Sequence, residues 1–523
     1  MGDHGALTSQ QRTVMAATIT ASALLFSSLT SITVALPVIQ RDLGISSSAL
    51  HWVIVAALLP LCALAVVSGR LGDVLGRRRV FLAGIIAFGA GSVLCAVAPD
   101  EVVLVAARGI QGIGVALAVP LALANLTGAL PGHRRGWAIG VLSAVTTGVS
   151  VAVPPSVAVL VHYVSWRWLF VAFVPVTVYV FLAGRRHIAE SPRPPGASMD
   201  VRGCLFIAGG LTLLVFAFER SSDWGFTDRQ TLVPLAAGLL LLLAFVRNER
   251  RAADPLLDLR PLGRSGVSVP LTALAFAQCA VLVVTVYVTL YLQQVLDLGT
   301  VETGLLMLPA SVGSVLLGPV VGRLTDRGAG HHLVLGGLVL LTASVLWLAL
   351  GVTHRHGTLL VPALLLLGLA VPLIYPSAGA LSLGALPPSA RGVAASLQVE
   401  ARQIGATMGL ALMSALFTYV EWQERNARLA DPGEHFTADA QNGLDTVLTD
   451  ADKGRALLDR LPPAERRLVH DAADAAFTTA LTTTLLTAAA VLFLGVLLAL
   501  GAFHVPRRTN RGPGTQGRAP GDG

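Results

Sequence analysis

The chain has 523 residues, of which 54% are hydrophobic and 13% are charged, and its formal net charge is +7. A soluble protein of this length carries about a quarter charged residues, so the composition excludes an ordinary soluble domain. The mean hydropathy of +0.71 and the recurring apolar segments indicate an all-α integral membrane protein. The positive residues lie in loops between these segments, so the charge gives no reason to expect a nucleic-acid partner.

Fourteen membrane spans are predicted from the apolar segments, after a short polar N-terminus at 1–13. Their approximate limits are 14–38, 51–68, 80–97, 102–126, 137–161, 167–184, 203–219, 231–246, 267–292, 303–321, 333–352, 358–384, 393–419 and 476–502.

Arginines concentrate in alternate loops, which predicts the orientation of the chain. The first arginine-rich loop holds Arg70, Arg77, Arg78 and Arg79, and further ones follow spans 4, 6, 8, 10 and 12. Loops that carry excess positive charge stay on the cytoplasmic face. We therefore expect a multi-pass protein of the cell membrane with both termini in the cytoplasm.

A repeated pattern predicts two matching bundles of six helices. Gly69-Arg70-Leu71-Gly72-Asp73 follows the second span, and Gly322-Arg323-Leu324-Thr325-Asp326 follows the tenth. The predicted domains are an N-terminal bundle at 14–184, a linker with spans 7 and 8 at 185–266, and a C-terminal bundle at 267–502. A long extracellular loop at 421–475 is interpreted as a solvated cap, and the tail at 503–523 as disordered and cytoplasmic.

Two motifs carry a resemblance to a known family. Residues 69–79, here called the latch loop, contain a pattern similar to the loop 2–3 signature of the major facilitator superfamily: Gly69, Arg70, Gly72, Asp73, Gly76, Arg77 and Arg78. The fourth span resembles that family's second signature, with Arg108 followed by Gln111, Gly112 and Gly114. Fourteen spans resemble its drug:proton antiporter branch, the group of the quaternary-ammonium-compound exporters.

The latch loop has a physical interpretation beside the resemblance. Gly72 and Gly76 permit a tight turn and close helix packing. Asp73 is expected near the start of the third helix, where the helix dipole favours a carboxylate, and Arg77 one turn on could pair with it. Such a pair could favour one conformation of two rocking bundles. The alternative is that the arginines only anchor the topology.

An arginine inside the membrane needs a partner or an aqueous cavity. Arg108 is expected about 10 Å from the outer end of its helix, with Gln111 on nearly the same face. The resemblance implies that these residues belong to the proton-coupling machinery, and the alternative is a structural centre of hydrogen bonds.

Several positions depart from the family pattern. Ser28 stands where the resemblance implies an aspartate in the first helix, and the glycines of the fifth-helix signature are replaced by Val153, Val157 and Ala158. Gly148, Pro154 and Pro155 still predict a kinked fifth helix.

The strongest remaining carboxyl inside a predicted span is Glu400. It lies about seven residues into the thirteenth span and is a candidate proton or cation site, and the alternative is that it reaches the inner interface or a partner arginine. Arg402 lies about 200° from Glu400 on a helix, so Gln403 is the closer neighbour of Glu400 and Gln398 that of Arg402. Glu400 and Arg402 complete the proton-coupling candidates.

Polar and aromatic residues on spans 1, 4, 9 and 12 are the candidates for substrate contact. They are Ser28, Thr30, Ser31, Asn125, Gln278, Tyr287, Tyr291 and Tyr375. The mostly aliphatic lining expected in the N-terminal bundle suits a small hydrophobic or amphipathic substrate better than a sugar or a dication.

The sequence contains no catalytic constellation, no metal-ligand spacing and no phosphate-binding loop, so we expect no enzyme activity, no metal, no other cofactor and no ATP. We expect a monomeric exporter in the lipid bilayer that moves drug-like or antibiotic-like compounds outward by alternating access, with protons moving in exchange. The alternatives are a proton-independent facilitator or lipid-type flippase, and a non-transporting membrane sensor or assembly partner.

Overall fold

The structure is a computed structural model that describes residues 7–45, 47–191, 199–224, 228–252, 256, 265–386, 391–429 and 462–504. All regular secondary structure in these ranges is helical. The expectation of an all-α membrane protein is confirmed.

The first six helices form the N-terminal bundle. They are α1 (Ser9–Leu43), α2 (Ser47–Leu75), α3 (Arg77–Ala96), α4 (Glu101–Ala129), α5 (Arg135–Tyr163) and α6 (Arg167–His187). Side-chain caps mark two of the starts: Thr8 accepts from the Gln11 N–H before α1, and Asp100 accepts from the Val103 N–H before α4. Such caps satisfy backbone donors that a helix leaves unpaired at its first turn.

Two helices form a hairpin between the bundles, α7 (Val201–Trp224) and α8 (Arg229–Glu249). They pack closely because Gly210 faces Gly238, where a Cβ on either glycine would lie within 3.2 Å of the other's carbonyl oxygen. Cys204 of α7 packs with Val66 of α2 and Val393 of the C-terminal bundle, so the hairpin contacts both bundles.

The remaining helices form the C-terminal bundle. They are α9 (Ser265–Val283), α10 (Thr289–Gln294), α11 (Thr300–Met307), α12 (Pro309–Leu324), α13 (Gly330–Gly351), α14 (Val361–Gly384), α15 (Arg391–Leu429) and α16 (Pro463–His504). A π-helical turn at Val284–Val288 joins α9 to α10, and Gly328 at φ 95° breaks the helical geometry between α12 and α13.

Twelve helical segments among the described residues are long and apolar enough to cross a membrane. One of them, Glu302–His354, includes both α12 and α13 across the break at Gly328. The count of fourteen spans therefore stays a prediction.

Helices occupy both ends of the predicted extracellular loop at 421–475. Helix α15 continues to Leu429 and α16 begins at Pro463. The extension of α15 carries an ion pair between Arg428 and Glu424 at 3.2 Å, four residues apart, which supports a helix beyond the apolar segment. The centre of the loop at 430–461 and the tail from 505 lie outside the described residues.

Each bundle has a large apolar core, and the core of the N-terminal bundle extends to Leu383, Ala394 and Ala395 of the C-terminal bundle. One core includes Phe81, Phe88 and Phe170 of the N-terminal bundle, and the other includes Leu338, Leu341 and Leu481 of the C-terminal bundle. Two cores that meet along an interface allow each bundle to move as a unit, as rigid-body transitions between bundles require.

Candidate functional site

Asp73 joins the latch loop to the opposite bundle. Its Oδ1 accepts from Arg77 Nε at 2.8 Å and pairs with Arg77 Nη2 at 2.7 Å, and both side chains are buried. Its Oδ2 accepts from the Val393 N–H at 3.3 Å, in the first turn of α15. A carboxylate at a helix N-terminus is favoured by the helix dipole and by unpaired N–H groups. Asp73 therefore holds the two bundles together at one face.

The expected position of Asp73 on its helix requires a correction. It lies in the last turn of α2, not at the start of α3. The helix dipole of α2 disfavours an anion there, so the stabilising partners are Arg77 and the N-terminus of α15.

Asp326 makes the equivalent contact in the reverse direction. Its Oδ1 accepts from the Gly136 N–H at 2.6 Å and its Oδ2 from the Trp137 N–H at 2.8 Å, both in the first turn of α5. The second G-R-L-x-D sequence thus binds the fifth helix, as the first binds the thirteenth predicted span. This exchange of contacts has the symmetry of a parallel repeat.

Glycines bring α5 and α12 into direct backbone contact beside Asp326. A Cβ added to Gly140 would lie 2.0 Å from the Gly318 carbonyl oxygen, and one added to Gly322 would lie 2.1 Å from the Gly136 carbonyl oxygen. Small residues permit such close approach of membrane helices. The contact closes the space between the bundles at the face that holds both aspartates.

The turn of the latch loop depends on Gly76 and on a segment that the sequence did not single out. Gly76 has φ +109°, and its added Cβ would lie 2.4 Å from Glu190 Oε1. Glu190 accepts from the Arg78 N–H at 3.2 Å, and Ser191 Oγ accepts from the Arg77 N–H at 3.1 Å, so both cap α3.

The other predicted residues of the latch loop lie around this turn. Gly69 and Arg70 belong to α2, and Arg70 lies near Cys204 of the hairpin, as Asp200 and Glu249 do. Gly72 packs against the Leu121 side chain. Arg78 donates from Nη2 to the Arg185 carbonyl oxygen at the end of α6.

Arg108 forms the centre of a buried network in the N-terminal bundle. Its Nη1 donates to Gln111 Oε1 at 2.7 Å and its Nε to the Val53 carbonyl oxygen at 3.1 Å. Gln111 Nε2 donates in turn to Ser92 Oγ at 2.8 Å. Arg108 Nη2 has no hydrogen-bond partner among the described residues.

Ser28 lies beside this network and brings no charge to it. Its carbonyl oxygen is 3.5 Å from Arg108 Nη1, and its own hydroxyl donates to the Leu25 carbonyl oxygen at 2.8 Å. No described carboxylate forms an ion pair with Arg108. The network is thus a cation held by neutral groups.

A cavity of about 800 Å³ lies between the two bundles. Helices α1, α2, α4 and α5 line one side, α9, α12, α14 and α15 line the other, and Phe218 of α7 contributes at the edge. This volume is within the usual range of about 300–1,000 Å³ for small-molecule sites. The position between two bundles is the one expected for a substrate site in a transporter built from repeats.

Three of the eight predicted contact residues line this cavity: Thr30, Gln278 and Tyr375. The other five lie elsewhere. Ser28 and Ser31 are buried in the N-terminal bundle, as is Asn125, whose Nδ2 has no partner among the described residues. Tyr287 stacks on Phe417 with ring centroids 4.6 Å apart, and the Tyr291 hydroxyl donates to the Val352 carbonyl oxygen at 2.7 Å. These tyrosines serve packing in the C-terminal bundle, because their rings face its core.

Arg402 also lines the cavity, where the sequence had grouped it with the proton-coupling residues. Its Nε donates to Gln278 Oε1 at 3.0 Å, and the Tyr375 hydroxyl donates to the same oxygen at 2.9 Å. Its guanidinium carbon is 4.5 Å from the centroid of the Tyr375 ring and 5.8 Å from that of Phe26. The neighbours Gln398 and Gln403 line the cavity as well.

Glu400 is buried on another face of α15. Its side chain is 6% exposed, and Oε2 has no hydrogen-bond partner among the described residues. It does not contribute to the cavity lining, which includes its neighbours Val399 and Arg402. An ionised carboxyl without a partner is costly in such surroundings, so this position suits a group that carries a proton.

The predicted kink of the fifth helix remains a prediction. Helix α5 is continuous from Arg135 to Tyr163, and the side chains of Pro154 and Pro155 lie outside the described part. An added Cβ at Gly148 would be 3.7 Å from the Val315 side chain of α12, which is an ordinary contact.

A row of hydroxyl residues, which the sequence motifs did not single out, faces the cavity. On α5 they are Ser143, Thr146, Thr147 and Ser150, and on α12 they are Ser311 and Ser314. Their spacing of three or four residues on each helix was a visible signal, since such residues share a face.

The sequence is similar to a known family and to several of its members. Residues 18–410 match the model of the Major Facilitator Superfamily. The chain is 33% identical to the puromycin resistance protein pur8 of Streptomyces alboniger over 74% of this chain and 78% of that protein. It is 31% identical to the tetracenomycin C resistance and export protein of Streptomyces glaucescens, over 77% of each chain. It is 33% identical to the cephamycin export protein CmcT of Amycolatopsis lactamdurans over 78% of this chain and 85% of that one.

Solved structures show the same fold at low sequence identity. The human organic anion transporter MFSD10 (TETRAN) superposes with a TM-score of 0.58 at 17% identity, covering 94% of this chain and 99% of that one. The proton:xylose symporter XylE superposes with a TM-score of 0.55 at 14% identity, covering 95% and 99%.

Proposed function

The chain belongs to the Major Facilitator Superfamily and is a multi-pass membrane transporter, and from this premise we propose that it exports small hydrophobic or amphipathic, antibiotic-like compounds. The proposed location is the cell membrane with both termini in the cytoplasm, and the proposed unit is a monomer. Relatives named for resistance to, or export of, puromycin, tetracenomycin C and cephamycin support this substrate class.

The observation that carries the proposal is the cavity of about 800 Å³ between the bundles. Residues of both bundles line it, so movement of one bundle against the other would change access to it. The contacts of Asp73 and Asp326 close one face of the molecule. The described conformation is then one of two states that alternate around a fixed site.

Proton-coupled antiport is proposed as the source of energy. Glu400 supports it, because a buried carboxyl without a partner is suited to bind and release a proton. Gln111 and Arg108 would contribute by holding α4 against α3 and α2.

A second candidate is transport that does not use protons, as in a facilitator or a lipid-type flippase. The network around Arg108 favours it, because no described carboxylate pairs with this cation and Ser28 supplies only a carbonyl oxygen. A proton acceptor beside Arg108 would be needed if this network itself carried the coupling.

An accumulation screen tests the proposal. Cells that lack their own exporters would express the chain and be loaded with chemically varied fluorescent compounds, with and without a protonophore. We expect lower accumulation than in vector-only cells for at least one amphipathic compound, and the protonophore should abolish the difference. Export that survives the protonophore would support the second candidate, and equal accumulation for all compounds would contradict export. Flux into proteoliposomes above that of empty vesicles would separate a transporter from a sensor or assembly partner.

A further inference from the structure

Within the described part of the chain, the cavity lining carries one charged side chain and no charge of opposite sign. Among the lining residues, Arg402 is the single member of the group Asp, Glu, Lys, Arg and His. None of the described ion pairs includes it. The net charge of the described lining is therefore positive.

The contacts of Arg402 fix its position without neutralising its charge. Gln278 accepts from Nε, and the guanidinium carbon lies over the rings of Tyr375 and Phe26. The two terminal nitrogens carry four further N–H donors, which match the two oxygens of a carboxylate. Phe26 belongs to α1 and Tyr375 to α14, so the guanidinium lies where the two bundles meet.

The rest of the lining suits an apolar body. Leu29, Leu61, Val119, Leu274 and Val371 contribute aliphatic side chains to the lining of the same cavity. Desolvation by such a lining strengthens an ion pair and makes an unpaired cation in the substrate unfavourable beside Arg402.

We propose that the substrate is an amphipathic organic acid whose anionic group pairs with Arg402 while its apolar part contacts the aliphatic lining. The inference rests on the proposed export function and narrows its substrate class. Outward movement of an anion is favoured by a membrane potential that is negative inside. Such a substrate would thus gain driving force even without a carboxylate beside Arg108.

Three probes with one fluorophore and different charges test the inference. They are dansylglycine with a carboxylate, its neutral amide, and dansylethylenediamine with an ammonium group. Purified protein would be titrated with each probe in detergent, and dansyl fluorescence would report binding. We expect the acid to bind about tenfold or more tightly than the amide and the amine.

Variants of Arg402 assign the preference to this side chain. Arg402→Gln should remove the preference for the acid, and Arg402→Lys should retain part of it. Arg425→Gln, which removes a charge from the same helix outside the cavity lining, should bind all three probes as the unchanged protein does. Elution of each variant as a single peak in size-exclusion chromatography would show that it is folded. The comparison of the three probes on the unchanged protein tests the inference even if a variant fails to fold.

Two results of the binding experiment would overturn the inference. One is that the acid fails to bind the unchanged protein or binds no better than the amide or amine, and the other is that Arg402→Gln keeps the preference. Export of neutral or cationic compounds but not acids in the accumulation screen would leave the export function standing and reject the organic-acid substrate. Absence of any export in that screen would instead reject the proposed function.

Discussion

At the scale of single residues, two groups of buried or half-buried ionisable side chains differ in their partners. Asp73, Asp326 and Glu190 each accept hydrogen bonds from backbone N–H groups at helix starts. Arg108 and Glu400 each keep a polar atom without a partner among the described residues. Unpaired buried polar atoms are costly, so a side chain that keeps one is a candidate for a role in mechanism.

Glu400→Gln tests the proton site. If Glu400 exchanges the coupled proton, the variant should lose the dependence of export on an imposed pH gradient, because the amide cannot be protonated in this range. Initial rates in proteoliposomes at several pH gradients would measure this. Glu424→Gln is the matched control, since Glu424 lies on the same helix and pairs with Arg428. An unchanged pH dependence in Glu400→Gln would remove this residue from the coupling.

The contacts of Asp42, at the face opposite Asp73 and Asp326, predict that the stability of the protein depends on pH. The hydrogen bond from Trp166 Nε1 at 2.8 Å, followed by that from Arg167 Nη1 at 2.6 Å, lowers the pKa of Asp42 below its usual value of 3.8. A lowered pKa in the folded state stabilises the protein above the unfolded pKa, and this contribution is lost as the pH falls through the folded pKa.

Asp42→Asn should therefore lower both the free energy of unfolding and the melting temperature near neutral pH. The loss of free energy should be less than ~1 kcal/mol, because the ion pair of Asp42 and Arg167 is half-exposed. The difference from the unchanged protein should shrink below about pH 4. Thermal unfolding in detergent across pH 3 to 8 would measure it. A constant difference over that whole range would show that the carboxylate charge contributes nothing.

At the scale of elements, the start of one helix in each bundle binds a carboxylate of the other bundle. Asp73, in the last turn of α2, binds the N-terminus of α15, and Asp326, which follows α12, binds that of α5. The helix dipole adds to each contact, because it places partial positive charge at both N-termini. The two contacts form or break together when the bundles separate at this face.

Asp73→Asn should shift the equilibrium away from the closed face. Asparagine keeps the shape but loses the charge that binds Arg77 and α15, a loss of about 1–3 kcal/mol that corresponds to a shift of about 5- to 150-fold. Spin labels at His133→Cys and Arg323→Cys, in a background without the native cysteines, would report the distance between bundles. The mean distance should increase, and the export rate should fall.

Asp326→Asn provides the mirror of this experiment and should have the same effect through α5. Asp228→Asn is the control, since Asp228 caps α8 within the hairpin. The interpretation fails if the distances in Asp73→Asn match those in the control.

At the scale of the whole molecule, the two bundles meet along α5 and α12, where glycines bring the backbones into contact. Their contact closes one face, and the cavity with Arg402 lies between the same helices. Access to the cavity from the closed face therefore depends on how closely two backbones approach.

Gly140→Val should prevent this closure. The added Cβ would lie 2.0 Å from the Gly318 carbonyl oxygen, and backbone atoms yield only when the helices separate, at a cost of about 1–3 kcal/mol. A cysteine at Ser143 in the cavity should then react faster with a membrane-impermeant thiol reagent added from the face that carries Asp73. Export should fall by about tenfold or more.

Gly336→Val is the control for this substitution, because an added Cβ there meets nothing within 4 Å. It should leave both the labelling rate and export unchanged. Slow labelling in Gly140→Val, equal to that of the control, would contradict closure by α5 and α12.

The sequence determined the class, the two-bundle repeat and the motifs of this protein. Hydropathy predicts the class, because each membrane span is a single apolar segment of the chain. The two G-R-L-x-D sequences predict the repeat, because each is a short motif at the same place in its bundle. The pair of Asp73 and Arg77 and that of Arg108 and Gln111 were also predictable, since residues three or four apart share a helix face.

Only the tertiary structure decided which residues meet across helices. It brought Asp73 into contact with the start of α15, Glu190 into contact with the start of α3, and Arg402 close to Phe26 and Tyr375. It also placed Tyr287 and Tyr291 in the C-terminal core rather than at the cavity. The physical reason is that hydrophobic periodicity is weak in a membrane helix, so the rotation of each helix is set by packing against its neighbours and not by its own sequence.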